Sequence, residues 1–310
     1  MAMPHDLRVL DHFAPEDVAS IRALAHEIED KTGTNPFGEV TWTGLAGRGT
    51  LGDRGVLLPA HDDGDVAAYV HLAHHQREEW SAEVAVRPDA EDALPDLLRR
   101  AIDVVGHEGG GHLTLWLHGD QRDGDPLHAG FVLERELLEM RVPLPLATGP
   151  KWPDGITVRD FVVGQDEDEW LAVNNRSFAG HPEQGGWGLD TLLQRERAEW
   201  FAPEGFLLAF DADGLAGFCW TKIHPADPPK EPVALGEIYV IGADPSRQGI
   251  GLGRALTVGG LASLADRGIT MGMLFVDGGN DAAVGLYRSL GFVSHRVDRA
   301  YGMDVRSTGP

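Results

Sequence analysis

The sequence predicts an α/β (α+β) fold made of two similar halves. Apolar runs typical of buried strands alternate along the chain with stretches that have helical periodicity. Residues 142–156 carry four prolines and two glycines, a composition that cannot continue a helix or a central strand. With 310 residues, the chain is long enough for two ordinary domains, one on either side of this break.

The two halves follow the same order of strand, turn, helix, strand, helix and last strand. Residues 83–86 match residues 237–240, and the Gly-Phe pair at 130–131 matches the pair at 291–292. A chance likeness between two α/β segments is the alternative to a degenerate repeat. Only the second half has a glycine-rich turn before its first long helix. We therefore predict an N-terminal domain at 1–142, a linker at 143–155 and a C-terminal domain at 156–310.

The charge of the chain restricts its partners. It has 49 acidic residues against 26 basic ones, which gives a formal net charge of -23. Nucleic acids and anionic membrane surfaces bind basic faces, so we expect neither as a partner. An anionic ligand would have to be held locally, by backbone N–H groups and a few cations.

Cysteine usage and hydropathy indicate a cytoplasmic protein. The single cysteine, Cys219, excludes a disulfide framework and a cysteine-rich zinc site, and we expect no metal. The first 18 residues lack the apolar core of a signal peptide. No segment contains a run of apolar residues close to the length of about 18 that a membrane-spanning helix requires.

The glycine-rich turn of the second half is the first candidate for chemistry. Gly249, Gly251 and Gly253 follow an apolar strand and surround the start of a helix, where backbone N–H groups can approach an anion. Their spacing is not the G-x-G-x-x-G of dinucleotide-binding folds, and the Gly-Lys-Ser/Thr of a P-loop is absent. A tight strand-to-helix connection without a ligand is the alternative.

Two motifs in order resemble the GNAT acetyltransferases. Gln248-x-x-Gly251-x-Gly253, after a strand that begins with an acid, resembles the acetyl-CoA loop of that family. About 30 residues later, "FVDGGNDAAVGLYRSLGF" resembles its later motif, an Asn before a helix that carries a Tyr and ends in Gly-Phe. Each motif alone is weak evidence for this family, whereas the two motifs in this order are specific to it.

Four longer stretches narrow the resemblance to the mycothiol synthase family of tandem GNAT enzymes. They are "NNRSFAGHPEQGGW", "FCWTKIHP", "LGEIYVIGADPSRQGIGLG" and "VDRAYGMDV". The resemblance implies two GNAT-like domains, each a mixed, mostly antiparallel sheet flanked by helices, the first degenerate and the second catalytic. It also implies transfer of acetyl from acetyl-CoA to the cysteinyl amine of cysteinyl-glucosaminyl-inositol, the last step of mycothiol synthesis.

Acetyl transfer to an amine requires a base for the ammonium, a donor for the developing oxyanion and stabilisation of the departing thiolate. Glu237, at the head of the strand before the glycine loop, matches the family's general base. Tyr287, on the helix after Asn280, matches a general acid for the coenzyme A sulfur. The alternatives are a salt-bridged strand-edge acid and a tyrosine that only packs in the core.

The resemblance also implies a set of cofactor contacts. The residues expected to contact acetyl-CoA are Ile241, Gly242 and Ala243 for the acyl and pantetheine part; Gln248, Gly249, Ile250, Gly251, Leu252, Gly253 and Arg254 for the pyrophosphate; and Asn280, Asp281, Ala282, Ala283, Val284 and Gly285 for the other side. Val84, Ala85 and Val86 would hold a second, unreactive acetyl-CoA in the first domain. The first domain lacks the glycine loop, so that site depends on these residues alone.

Substrate contacts follow from the same resemblance. Glu39, Glu183, Lys222 and Glu237 match family positions that would hydrogen-bond the polyhydroxylated, cationic acceptor. For Glu39, Glu183 and Lys222 the alternative is a plain surface charge. Phe275 stands where we expect a family tyrosine, which puts a hydroxyl contact to substrate or cofactor in question.

We therefore predict a monomeric N-acetyltransferase with a small-molecule thiol precursor as its substrate. One alternative is a GNAT enzyme for another amine, such as an aminoglycoside or a peptide N-terminus. The acidic composition suits any cationic amine and does not separate the two. The other alternative is an acyl-CoA-binding sensor, which would need neither Glu237 nor Tyr287.

Overall fold

The structure is a computed structural model that describes residues 6–48, 52–60, 65–75, 78–119, 124–179, 185–228 and 231–309. Strands and α-helices alternate through these residues. The strands are β1 (Arg8–Leu10), β2 (Arg54–Pro59), β3 (Val66–His74), β4 (Glu79–Val86), β5 (Gly111–Leu117), β6 (Val132–Pro143), β7 (Thr157–Asp160), β8 (Phe206–Asp211), β9 (Gly214–His224), β10 (Leu235–Ala243), β11 (Met271–Asp277) and β12 (Val293–Val305). The helices are α1 (Pro15–Thr32), α2 (Glu39–Thr43), α3 (Leu94–His107), α4 (Gly124–His128), α5 (Glu167–Ser177), α6 (Leu189–Glu196), α7 (Leu252–Asp266) and α8 (Asp281–Ser289).

The chain divides into two compact units that do not follow chain order. The first contains the described residues of Met1–Leu138, Asp277–Gly279 and Arg296–Pro310. The second contains those of Glu139–Val276 and Asn280–His295. The final residues of the chain therefore belong to the first unit.

The first unit is a sheet between two helices. Its strand order is β1-β2-β3-β4-β5-β12, and the pairs with a known register are antiparallel except β4 with β5. Side chains of β3 alternate between the faces, as the period of a strand requires. Val70 packs in the core cluster that includes Leu97 of α3, whereas Tyr69 packs in the cluster that includes Ile21 of α1.

The second unit has the matching sheet, with the order β6-β11-β10-β9-β8-β7. Here too the pairs with a known register are antiparallel except one, β10 with β11. An aromatic core lies on the face that carries α5 and α6, where Trp170 packs edge-on against Trp220 at 5.8 Å. Helix α7 covers the other face, and its Gly260 lies over Cys219.

The predicted fold class is confirmed. Each unit repeats one plan, in which a meander of antiparallel strands leads to a helix and then to a parallel strand. The match runs β4–α3–β5 in the first unit and β10–α7–β11 in the second. The domain boundaries at 142–156 remain a prediction, because the units divide the chain differently. Strand β6 runs to Pro143, and Arg299 to Val305 of β12 pair antiparallel with β5.

A buried charge cluster lies in the first unit. His118 contacts Glu83 at 2.8 Å and Asp298 at 3.2 Å, and the backbone N–H of Gly38 donates to both oxygens of Glu83 at 2.9 Å. Burial alone disfavours the imidazolium, but its hydrogen bonds to Asp298 and Glu83 outweigh this and raise the pKa of His118 to about 9. Burial also opposes the charged form of Glu83, and the contact with His118 holds the pKa of that carboxyl below its usual value.

Helix α7 packs so closely on the sheet that adding one methyl group at Gly260 should destabilise the fold. A Cβ at Gly260 would overlap the Cys219 sulfur and would lie 2.8 Å from Cδ1 of Ile238. We expect Gly260→Ala to lower the free energy of unfolding by about 1–3 kcal/mol, because overpacking outweighs the better helix propensity. Gly253→Ala on the same helix is the matched control, since a Cβ there meets nothing within 4 Å. Equal stability of the two variants in urea denaturation would contradict this packing.

The His118 cluster predicts a pH-dependent stability. A histidine whose pKa is about 9 in the folded chain, against an ordinary value of about 6.5, stabilises fully below about pH 6.5 and loses this contribution as pH rises to about 9. We expect the unfolding free energy of the wild type to fall over that window, and His118→Gln to lack this part of the decline. His295→Gln, at an exposed position of β12, should behave as the wild type. Parallel pH curves for all three proteins would contradict the assignment.

Candidate functional site

The site is built where two parallel strands separate. β10 and β11 pair from Leu235–Met271 to Ile238–Leu274, and the ladder stops there. β10 nevertheless continues to Ala243 and β11 to Asp277. Residues 240–243 of β10 therefore lie beyond the last residue pair of the β10–β11 ladder, at a strand end where backbone groups can meet a ligand.

A bulge on the other side of β10 changes the direction of its side chains. The register with β9 shifts between Ile238 and Val240, where Tyr239 is the extra residue. Ile238 lies near Gly260 of α7, whereas Tyr239 and Val240 both join the aromatic core on the opposite face. Bulges of this kind bend a strand and commonly lie beside functional sites.

The glycine loop leads from β10 into α7. Gly249 and Gly251 have left-handed backbone angles, φ +83° and +86°, and Gly251 is the N-cap of α7. A Cβ at Gly249, Gly251 or Gly253 would meet nothing within 4 Å, so the space beside the loop is open. Backbone N–H groups at the start of a fifteen-residue helix therefore face a volume free of side chains, which suits a phosphate.

Side chains before this loop hold the turn in place. Asp244 accepts hydrogen bonds from the N–H and hydroxyl of Ser246 at 3.0 and 2.6 Å, and from Arg176 at 2.7 Å. The Ser246 hydroxyl and the Arg176 guanidinium together lower the pKa of Asp244 to about 2. Arg247 is bound to Asp211 at 2.9 Å, whereas Arg254 is exposed beside Ser289, which it contacts at 2.7 Å.

Helix α8 begins at the same end of the sheet, because it follows β11, the parallel neighbour of β10. The Asn280 side chain caps this helix by accepting from the N–H of Ala283 at 3.1 Å. A Cβ at Gly285 would meet nothing within 4 Å, so this face of α8 is open. Asp281 and Ala282 are also exposed, whereas Val284 is buried.

Tyr287 lies two residues beyond Gly285 and is buried. Its ring packs against Phe292 with 5.6 Å between the ring centroids. Its hydroxyl has no hydrogen-bond partner in the part of the chain that the structure describes. Burial, with a smaller effect from the Cys219 thiol, raises the pKa of Tyr287 to about 12. The phenol therefore keeps its proton at neutral pH.

Glu237 is a buried carboxylate with one side-chain partner among the described residues. It is 8% exposed, and its Oε2 lies 2.7 Å from Nε2 of His224. Across the ladder it is paired with Lys222 of β9. The Lys222 ammonium lies 4.9 Å from the centre of the Trp200 ring and 5.5 Å from that of Tyr239. Glu237 and Lys222 thus bring opposite charges to neighbouring positions of the sheet.

A second cation extends this group of side chains. Arg195 of α6 donates to the Tyr239 hydroxyl at 2.9 Å and lies 4.2 Å from the centre of the Trp187 ring. Trp200 packs edge-on against Tyr239 at 5.0 Å. His224, Tyr239, Trp200 and Arg195 were not predicted as site residues. For His224 a signal existed, since in "WTKIHP" it lies two residues from Lys222 and so on the same face of a strand.

The other predicted positions lie as follows. Phe275 is in β11 and is 37% exposed. Glu183 lies outside the described residues. Glu39 begins α2 in the first unit, and its side chain is not described. The remaining predicted positions of the second unit, Ile241 to Ala243 and Gln248 to Arg254, run from the end of β10 to the first turn of α7.

In the first unit, Val84, Ala85 and Val86 occupy the place that corresponds to the strand end of the second. The β4–β5 ladder stops at Glu83–Trp116, so the backbone beyond it is likewise outside the ladder. The side chains of Val84 and Ala85 are buried in the core. The turn that follows is a 3₁₀ helix, Pro88–Ala93, in place of a glycine loop.

The acid that corresponds to Glu237 is fully engaged in the first unit. Glu83 accepts from the Gly38 N–H, from His118 and from the Thr41 hydroxyl. A carboxylate with these partners has little capacity left to accept a proton from a substrate. The two units therefore share a strand geometry but differ in the availability of their acids.

Two general features of the described residues complete the site description. No helix among them is both long and apolar enough to cross a membrane. Within the same residues, no group of three or more His, Cys, Asp or Glu side chains is arranged to hold a metal ion.

Cys219 is buried, and burial raises the pKa of its thiol to about 12, so it packs as a small apolar residue.

Comparisons with known proteins identify the family of the chain. Residues 170–292 match the Acetyltransferase (GNAT) family. A mycothiol acetyltransferase of Thermobispora bispora is 41% identical over 302 residues, covering 95% of this chain and 99% of the relative. A mycothiol acetyltransferase of Acidimicrobium ferrooxidans is 38% identical, covering 95% of this chain and 96% of the relative.

Solved structures support the fold over the whole chain. A GCN5-related N-acetyltransferase from Sphaerobacter thermophilus aligns with a TM-score of 0.74 at 21% identity, covering 100% of this chain and 99% of that one. A tandem GNAT protein from the clavulanic acid biosynthesis pathway aligns with a TM-score of 0.67 at 15% identity, covering 98% and 99%. The identity to the two curated relatives, over nearly the full length, is high enough to fix the family. The chain is an N-acetyltransferase and belongs to the mycothiol acetyltransferase family of tandem GNAT proteins.

Proposed function

We propose that this enzyme transfers acetyl from acetyl-CoA to the cysteinyl amine of cysteinyl-glucosaminyl-inositol, the last step of mycothiol synthesis. The observation that carries the proposal is the position of Glu237, a buried carboxylate just before the point where β10 separates from β11. The names of the relatives support the choice of acceptor. Acetyl-CoA, when bound, supplies the thioester that is attacked.

The second unit fits this co-substrate. The open volume beside Gly249, Gly251 and Gly253 suits the pyrophosphate, and the open face at Gly285 suits the rest of the coenzyme. We assign acetyl-CoA binding to Ile241–Ala243, Gln248–Arg254 and Asn280–Gly285. Because Arg247 is already paired with Asp211, backbone N–H groups and Arg254 carry most of the phosphate contacts in this proposal.

Glu237 acts as the general base. Its Oε2 is bound to His224, which leaves Oε1 to accept a proton from the acceptor's ammonium, directly or through one water. The amine that results attacks the thioester carbonyl. A backbone N–H of residues 240–243, beyond the last pair of the β11 ladder, is the donor we assign to the developing oxyanion.

Tyr287 stabilises the departing thiolate. A phenol with a pKa of about 12 stays protonated and can donate a hydrogen bond to the sulfur as its negative charge grows. A free thiol is more acidic, with a pKa of about 8.5, so complete transfer of the phenolic proton is unfavourable. We therefore assign hydrogen-bond donation to Tyr287, and the thiol proton comes finally from solvent.

The acceptor is recognised by polar groups around Glu237. Lys222 is fixed over the Trp200 and Tyr239 rings, within reach of the same face as Glu237. We assign Glu183 and Glu39 as further contacts to the hydroxyl and amine groups of the acceptor. Phe275 offers an apolar surface at the position where a tyrosine would offer a hydroxyl.

The first unit has a secondary role in this proposal. Val84, Ala85 and Val86 hold a second acetyl-CoA, supported by the end of the β4–β5 ladder at Glu83. That acetyl group does not react, because Glu83 is already saturated with hydrogen bonds. We further propose that the enzyme is a cytoplasmic monomer. The single cysteine suits a reducing compartment, and both GNAT units lie on one chain.

A coenzyme A release assay tests the proposed reaction. The purified enzyme is given acetyl-CoA with cysteinyl-glucosaminyl-inositol, an aminoglycoside or a peptide with a free N-terminus. We expect the highest kcat/KM with the first, and expect Glu237→Gln to lower kcat by about 10²- to 10⁴-fold without changing acetyl-CoA affinity. Glu204→Gln, at an exposed position of the same unit, is the control. Preference for another amine would refute the acceptor, whereas full activity of Glu237→Gln would refute the base.

Removal of one hydroxyl tests Tyr287. Phe fills the same space and preserves the packing on Phe292, so Tyr287→Phe should leave stability and acetyl-CoA affinity unchanged. Loss of a hydrogen bond to a charged sulfur should lower the rate of the chemical step by about 10- to 100-fold, measured in single-turnover experiments. A wild-type rate for this variant would reduce Tyr287 to a packing residue.

A further inference from the structure

We propose that His224 is the positioning residue of the catalytic carboxylate and fixes the orientation of Glu237. The inference rests on the proposed function of Glu237. It concerns a residue outside the predicted acetyl-CoA and acceptor contacts.

The strand register brings the two side chains together. Glu237 is directly opposite Lys222, and His224 is opposite Leu235, two positions further along the β9–β10 ladder. Residues two apart on a strand share a face, so His224 reaches Glu237 diagonally. The resulting contact of 2.7 Å between Nε2 and Oε2 is a short, charge-assisted hydrogen bond.

The contact with His224 determines which carboxylate oxygen of Glu237 is available to the acceptor. A carboxylate only accepts hydrogen bonds, so Nε2 of His224 carries the hydrogen in the pair. Oε2 of Glu237 is thereby occupied, and Oε1 is left for the acceptor's ammonium. The buried carboxylate cannot rotate freely while this bond is intact, so Oε1 keeps one direction. The proton removed from the ammonium goes to Oε1, and His224 keeps its own hydrogen.

Two substitutions at His224 separate hydrogen-bond donation from packing. His224→Gln keeps an N–H donor, and we expect kcat near the wild-type value. His224→Phe removes the donor, and we expect kcat to fall about 10- to 100-fold with little change in the KM for the acceptor. His295→Gln, at an exposed position of the same unit, should leave kcat and KM unchanged.

The outcomes decide the proposal in either direction. A wild-type kcat in His224→Phe, or a fall in His224→Gln as large as that in His224→Phe, would overturn it. If His224→Phe is unstable by circular dichroism or does not bind acetyl-CoA, His224→Leu replaces it as the variant without a donor. Failure of the proposed function is separable, because it would show as an active Glu237→Gln, whereas failure of this inference would leave Glu237→Gln inactive and the His224 variants normal.

Discussion

The site depends on the early end of the parallel pairing between β10 and β11. Four residue pairs hold the strands together, and both strands then continue without that pairing. The separation exposes backbone groups that a regular sheet would consume. It also leaves the starts of α7 and α8 at the same edge of the sheet, where ligands of parallel strands bind. Glu237 lies one residue before the last pair of this ladder, so the proposed base and the proposed acetyl-CoA site both depend on where the two strands separate.

The first unit has the same strand geometry, but a different set of partners for its acid. Its β4–β5 ladder also stops early, at Glu83, but the surrounding groups differ. The Gly38 N–H and His118 occupy the carboxylate that corresponds to Glu237, and Asp298 contacts both His118 and Arg296, so two carboxylates are matched by two cations. Buried charges of this kind are stable only when all are paired. In the first unit the position that corresponds to Glu237 is therefore part of a structural ion cluster.

Much of the site was predictable because its signals are local in sequence. The spacing of Gly249, Gly251 and Gly253, the cap at Asn280 and the acid at Glu237 each act within one turn or strand. The pairing of His224 with Glu237 depends on the register between β9 and β10. That register could not be predicted from the sequence, because a bulge at Tyr239 shifts it. The return of β12 to β5 was likewise not predicted, since residues 296–310 follow the second half of the repeat without a break.

That return of β12 has a consequence for the order in which the protein can be completed during synthesis. β1 to β5 of the first unit are made within the first 117 residues, but the strand that covers the free side of β5 ends at Val305. While the ribosome makes the intervening residues, β5 presents an unpaired edge, which is the kind of surface that pairs with other chains. Most of the first unit is therefore translated before the second, but its sheet is complete only after β12 has been made. A nascent chain released before residue 296 would leave the first unit without the strand that pairs with β5.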